Sequence, residues 1–297
     1  MTILLSRRQT LAGSLLAIPV LASATAKGHA EDKNSGEQQL AALESKHSGR
    51  ICVSVLDMAS GKRIEHRAGE RILMCSTFKA LAAALVLARV DKGDETLDRR
   101  IHYAKSDIIP YSPATKANAG KIGMTIGELC AAAVTLSDNT AANLLLASVG
   151  GPKAVTNFCR NLGDDITRLD RTEPTLNYHD TPDDERDTTT AAAMLGNLRQ
   201  LLFTDVLAAP SRSQLAAWLI ANKTGDARLR AGLPKTWLVG DKTGTNGDKD
   251  GNANDIAILW PSERAPIIVT AYCEIPKIAA KERDAVIAEI GRIASEI

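Results

Sequence analysis

Strand-type patterns lie toward the two ends of this chain, with a helical block between them, and that arrangement restricts the fold more than any other feature. "RICVSVLDMASGKRIEHRA" reads as two strands joined by a turn at Ser60-Gly61. From Trp237 onward, "WLVGDKTG", "DIAILWP" and "PIIVTAYCEI" read as three more. Helical spacing runs near Thr77–Asp91, Ile126–Leu136, Thr140–Val149, Pro152–Leu162, Thr189–Leu202 and Arg212–Ala221, each segment broken by Gly, Asn or Pro. A helix around Gln38 to Lys46 precedes the first strands, and one from about Ala279 to Ile293 follows the last. The expected class is therefore α/β (α+β): an antiparallel sheet built from both chain ends, flanked by the N- and C-terminal helices, with an all-helical domain inserted. Residues 31–74 and 226–297 should form the α/β part and 75–225 the helical part. A cleft at their junction is the natural binding site.

The first thirty residues differ from the rest. "SRRQTLAGSLLAIPVLASATA" has paired arginines, a short apolar stretch and small residues at cleavage-type spacing, the pattern of an export signal. Arg7-Arg8 suggests the twin-arginine route, with cleavage after Ala26 or Ala30 and a periplasmic mature protein that is not stably associated with a membrane. A formal net charge of +1 and 3% aromatic content lack the footprint of a nucleic-acid binder. The 44% hydrophobic content is ample for a large core. Five cysteines, Cys52, Cys75, Cys130, Cys159 and Cys273, show no dense spacing or C-x-x-C, so most are expected to be small buried hydrophobes. The histidines, His29, His47, His66, His102 and His179, do not cluster as metal ligands, and no metal or cofactor is expected.

"MCSTFKALAAAL" places Ser76 and Lys79 three apart at a helix start, either a catalytic pair or a cap followed by a surface charge. Ser137-Asp138-Asn139 falls in a break between two helices, where any of the three could cap the second. Lys242-Thr243-Gly244 follows an apolar strand and supplies a cation, a hydroxyl and a residue that permits close backbone approach. A second copy, Lys223-Thr224-Gly225, comes after the helix ending "AAWLIAN" and reads more simply as helix termination with glycine past the last turn. "RTEPTLN" puts Glu173 before Pro174 and four residues ahead of Asn177, in a long helix-poor stretch from Thr167 to Asp187. Arg171 and Asp187, near its two ends, can hold such a loop closed.

S-T-F-K, S-D-N, E-P-T-L-N and K-T-G, in this order and at these separations, resemble the class A β-lactamases; S-x-x-K with S-D-N and K-T-G is a signature of that family and of penicillin-binding proteins. The resemblance spans the whole mature chain. It implies a small-molecule β-lactam substrate, a monomer, and hydrolysis of penicillins and at least some cephalosporins through an acyl-enzyme on Ser76. Lys79, or Glu173 through a water, would deprotonate Ser76, a choice that the sequence leaves open, and Glu173 with Asn177 would activate the deacylating water. Ser137 would relay a proton to the leaving nitrogen, and Asn139 would hold the substrate's side-chain amide. The N–H groups of Ser76 and Thr245 would form the oxyanion hole, while Lys242, Thr243, Gly244 and Thr245 would form the carboxylate pocket. A cell-wall D,D-peptidase or a β-lactam sensor would share the serine and K-T-G elements but as a rule not the Glu173/Asn177 pair. An α/β-hydrolase is excluded by the lack of a G-x-S-x-G elbow.

Three departures from the family pattern matter. "NGDKDGNANDIAI" lacks the arginine that many relatives carry after K-T-G, so Arg228 is assigned its substitute role, with Arg230 the competitor and better suited to a structural ion pair. Members with carbapenem-hydrolysing activity often pair the cysteine before the nucleophile with one just beyond K-T-G-T; here Cys75 is present but Asn246 stands at the later position, so a carbapenemase is not predicted. The Glu173 loop also looks slightly long, which bears on bulky cephalosporins.

Overall fold

In the computed structural model, which describes residues 35–181, 183–247 and 251–297, helix α1 (Gly36–His47) leads into strands β1 (Arg50–Asp57) and β2 (Arg63–His66). The export segment expected over residues 1–30, with cleavage after Ala26 or Ala30, lies outside the described residues. A short β3 (Ile72–Leu73) comes next, then α2 (Phe78–Asp91), β4 (Arg100–Ile101), α3 (Pro113–Asn118), β5 (Met124–Thr125), α4 (Ile126–Thr135), α5 (Asn139–Val149) and α6 (Pro152–Asn161). The chain continues through β6 (Thr188–Thr189), α7 (Ala191–Phe203) and α8 (Ala209–Ile220), and closes with β7 (Leu238–Thr245), β8 (Asn252–Trp260), β9 (Ile267–Glu274) and α9 (Ala280–Ser295).

The main sheet has the order β2-β1-β9-β8-β7 and every pairing in it is antiparallel. Its seam is the β1–β9 pair, which sets Arg50 opposite Glu274 and joins the two chain ends as expected. Side chains alternate across each strand. Ile51, Val53 and Val55 of β1 and Val269, Ala271 and Cys273 of β9 pack with Leu40 of α1 and Val286, Ile287 and Ile290 of α9. Cys52, Leu56, Ile268 and Tyr272 point the other way, into a core shared with Phe78, Leu81 and the remaining helices. Because both faces are covered, these strands read as continuous apolar runs rather than alternating ones.

Local chemistry accounts for the helix limits. Thr125 and Glu128 form a reciprocal capping box at α4. Thr190 caps α7 by accepting the Ala193 N–H, so the helix expected from Thr189 begins two residues later, with Thr189 in β6. Pro210 belongs to the first turn of α8, which therefore starts before the expected Arg212. The two-residue ribbons β3–β6 and β4–β5 are too short to leave a periodic pattern.

Candidate active site

Ser76 sits in a single 3₁₀ turn, Cys75–Thr77, that runs directly into α2, with Cys75 at a positive φ of 45°. The turn is pressed against the sheet. A Cβ on Gly244 would lie 2.7 Å from the Met74 carbonyl oxygen, so only glycine lets β7 pass this close to the nucleophile's turn. Asn254 on β8 donates its side-chain amide to the carbonyls of Leu73 and Met74, at 2.9 and 3.1 Å, fixing the approach from the other side.

Lys79, the second residue of α2, has no exposed surface and donates to Ser76 Oγ at 2.9 Å, Ser137 O at 2.9 Å and Asn139 Oδ1 at 2.6 Å. Its Nζ also lies 3.0 Å from Glu173 Oε1. Burial pushes the ammonium below its ordinary value of 10.5, against the pull of Glu173. Ser76 Oγ in turn donates to Glu173 Oε1 at 3.2 Å. The other carboxylate oxygen of Glu173 accepts from Asn177 Nδ2 at 2.6 Å, and Asn177 Oδ1 is buried without a partner among the described residues.

Glu173 is held by its backbone as well. Asn143 of α5 accepts its N–H and donates to its carbonyl, both at 2.9 Å, and the Glu173–Pro174 peptide bond is cis. The loop is closed as its charges suggested: Arg171 Nε meets Asp187 Oδ2 at 2.5 Å, and Asp187 Oδ1 accepts the N–H groups of Asp170 and Arg171. Asn246, just past the end of β7, donates to the Asn177 carbonyl at 3.0 Å and to Asn252 Oδ1 at 2.6 Å, so it braces the loop. All five cysteines are buried, and among the described residues none is in a disulfide.

In the Ser137-Asp138-Asn139 break, one residue caps the following helix and the other two bond the buried lysines. Asp138 is the cap: its buried carboxylate accepts from Ala141 N, Ala114 N, Thr115 N and Thr115 Oγ1. Ser137, at φ 57°, turns its hydroxyl to Lys242 Nζ at 3.0 Å, while Asn139 spans from Lys79 to the Pro110 carbonyl. Lys242 is fully buried and also donates to the Thr243 carbonyl; burial, reinforced by the charge of Lys79, holds it well below 10.5.

Arg228 crosses from the far side of β7, donating to the carbonyls of Gly244 and Asn254 at 2.8 and 2.7 Å, to Thr245 Oγ1 at 2.7 Å and to Asp284 at 2.8 Å. Arg230 pairs with the buried Asp241 at 2.6 Å, a structural ion pair as expected. The cleft of about 510 Å³ is lined by Ser76, Ser137, Asn139, Glu173, Asn177 and Thr243, together with Thr245 and Arg228.

Three of its wall residues, Tyr111, Lys223 and Thr224, lie outside the sites that the sequence indicates. Tyr111, at φ 62° and 62% exposed, forms part of the rim; an aromatic between Ile-Pro and Ser-Pro was its only signal. The second K-T-G was read as a helix stop, and that reading is corrected. Helix α8 ends at Ile220 with Ala221 as its cap, Gly225 is required because a Cβ there would collide with the Asp241 carboxylate, and Thr224 bonds the Thr243 hydroxyl at 2.6 Å at the cleft wall.

A buried serine between a lysine and a carboxylate, all three in hydrogen-bond contact, is the constellation of a serine acyl-transfer hydrolase. The comparisons narrow this. Residues 36–297 match the model of the β-lactamase enzyme family. β-Lactamase L2 of Stenotrophomonas maltophilia is 47% identical over 96% of this chain and 94% of its own length, and β-lactamase Toho-1 of Escherichia coli is 45% identical over 97% of each. The solved structure of an ancestral class A β-lactamase superposes with a TM-score of 0.85 at 60% identity, covering 88% of this chain and 99% of that one. The chain belongs to the β-lactamase enzyme family, as a class A serine member.

Proposed function

We propose that the protein opens the β-lactam amide of penicillins and at least some cephalosporins through an acyl-enzyme on Ser76, and so confers β-lactam resistance. Ser76 Oγ attacks the lactam carbonyl and gives its proton to Glu173 or Lys79, both already in contact with it. The N–H groups of Ser76 and Thr245 stabilise the oxyanion, a term of about 3 kcal/mol per donor. As the C–N bond breaks, Ser137, which Lys242 holds in place, hands a proton to the ring nitrogen and is replenished from Lys79, which recovers any proton that Glu173 took from Ser76 and so leaves Glu173 a carboxylate again. Glu173 then takes a proton from water as that water attacks the ester, with Asn177 Oδ1 accepting the water's other O–H; the bond to Ser76 Oγ breaks and Glu173 returns the proton to that oxygen. The substrate carboxylate lies against Lys242, Thr243, Thr245 and Arg228, with Gly244 keeping the strand close, and Asn139 holds the side-chain amide.

The observation that carries this reading is the carboxylate of Glu173, one oxygen on Ser76 and Lys79 and the other on Asn177. A base aimed at the acyl position supports turnover over the stalled acylation of a sensor or the chemistry of a D,D-peptidase. The mature enzyme acts as a periplasmic monomer exported by the twin-arginine route, with its site between segments 31–74 plus 226–297 and segment 75–225. No helix among the described residues is long and apolar enough to cross a membrane. Purified protein should hydrolyse benzylpenicillin continuously and Ser76→Ala should not; equal rates in both would overturn the proposal.

A further inference from the structure

Lys223 is the wall residue that the acyl-enzyme chemistry leaves without a task. Its N–H donates to the carbonyl of Thr135 at the end of α4, and its neighbour Thr224 bonds Thr243, so the second K-T-G packs against the first and both Lys223 and Thr224 line the cleft. The other cations of the site are buried and fully engaged: Lys79 on Ser76, Ser137 and Asn139, Lys242 on Ser137 and Thr243, and Arg228 on four acceptors. Lys223 differs. It is exposed, and among the described residues its ammonium has no hydrogen-bond or ion-pair partner. Asp226, three residues on, is also exposed but does not line the cleft. An unneutralised ammonium therefore stands at the mouth, on the same wall as Thr243.

We infer that Lys223 is a specificity-determining residue that favours substrates carrying a second anionic group beside the ring carboxylate, namely cephalosporins with an acidic C3 substituent. The inference rests on the proposed function, because it takes the carboxylate to lie against Lys242, Thr243 and Thr245. In a cephalosporin the carboxylate is on C4 and the variable substituent on the adjacent C3, so that substituent emerges next to the carboxylate and along the Thr224–Lys223 wall. In a penicillin the neighbouring carbon bears two methyl groups, which offer an ammonium nothing. An exposed charge of this kind acts on capture rather than on the chemical step, and it is screened by salt.

The test compares two cephalosporins that differ in having an acidic or an uncharged C3 substituent, with benzylpenicillin as reference, in wild type, Lys223→Gln and Lys223→Arg. The ratio of kcat/KM for the acidic over the uncharged substrate should fall about threefold in Lys223→Gln, through KM, as expected for one exposed ion pair. Lys223→Arg should keep the ratio, and the difference should fade at about 0.5 M salt. An unchanged ratio, an equal fall on both substrates, or a wild type that hydrolyses benzylpenicillin but neither cephalosporin would overturn the inference alone. A wild type inert toward benzylpenicillin would instead overturn the functional reading beneath it.

Discussion

Asn246 donates its side-chain amide to the backbone carbonyl of Asn177 across 3.0 Å, tying the end of β7 to the loop that carries Glu173. The same side chain exchanges bonds with Asn252, accepting its N–H at 2.9 Å and donating to its Oδ1 at 2.6 Å. One buried asparagine thus couples the sheet edge to the position of the general base.

Asn246→Ala should loosen that coupling. Loss of these three buried hydrogen bonds, at about 1 kcal/mol each, costs about 3 kcal/mol, which corresponds to a fall in Tm of about 6–12 °C in a domain of this size. With Glu173 and Asn177 less well held, deacylation should slow more than acylation, so kcat should fall more than kcat/KM. Thermal melts and rapid-mixing kinetics measure both; an unaltered kcat and Tm would show that the tie is incidental.

Arg228→Ala should raise KM for penicillins about tenfold, because it removes a cation from the carboxylate side of the cleft. It should also destabilise the protein by about 2 kcal/mol, since it strands Asp284 and the carbonyls of Gly244 and Asn254. Arg230→Ala should lower stability through Asp241 and leave KM nearly untouched. A larger KM effect from Arg230 would reverse the assignment.

Much of this was legible in the primary structure, for a physical reason. Ser76 and Lys79, or Glu173 and Asn177, are close in sequence and their spacing alone brings them together on one turn or loop. The strands were readable because both sheet faces are buried, which leaves unbroken apolar runs such as "DIAILWP". What stayed hidden depends on approach between distant segments. Gly225 is glycine because Asp241, sixteen positions on, crowds its Cα, and Thr224 faces the cleft because Thr243 holds it there. Neither relation leaves a local trace, so a helix stop was the simpler reading.

Asp255, buried behind β7, has its carboxyl raised well above the ordinary 3.8 by burial and by the neighbouring Asp241. The folded protein therefore keeps that proton while the unfolded chain loses it above pH 3.8, so the group's contribution to stability declines as pH rises from there toward the folded value. Asp255→Asn retains an acceptor for the Leu229 N–H and cannot ionise. Its Tm should gain on wild type as pH rises from about 4 to 7. Parallel melting curves across that range would show that Asp255 is ionised in the fold.

The thiols should be silent in the folded state. Burial raises Cys52 and Cys159 from 9.0 to about 12, so they stay protonated when the unfolded chain begins to ionise, and their contribution to stability is lost as pH climbs from 9 toward 12. A disulfide reagent at pH 8 should label the protein only after denaturation, and Cys75→Ala should keep penicillin hydrolysis. Rapid labelling of native protein, or collapse of activity in a well-folded Cys75→Ala, would contradict this.

The most direct test asks whether deacylation is built into the site. Glu173→Ala leaves Ser76 beside Lys79 but removes the carboxylate that, among the described residues, is in contact with both. In intact-mass spectrometry with benzylpenicillin, this variant should accumulate a persistent adduct of one substrate mass while wild type shows rapid turnover and little adduct, and Ser76→Ala should show none. A Glu173→Ala variant that turns over at the wild-type rate, or a wild type that itself stays acylated for many minutes, would contradict the account.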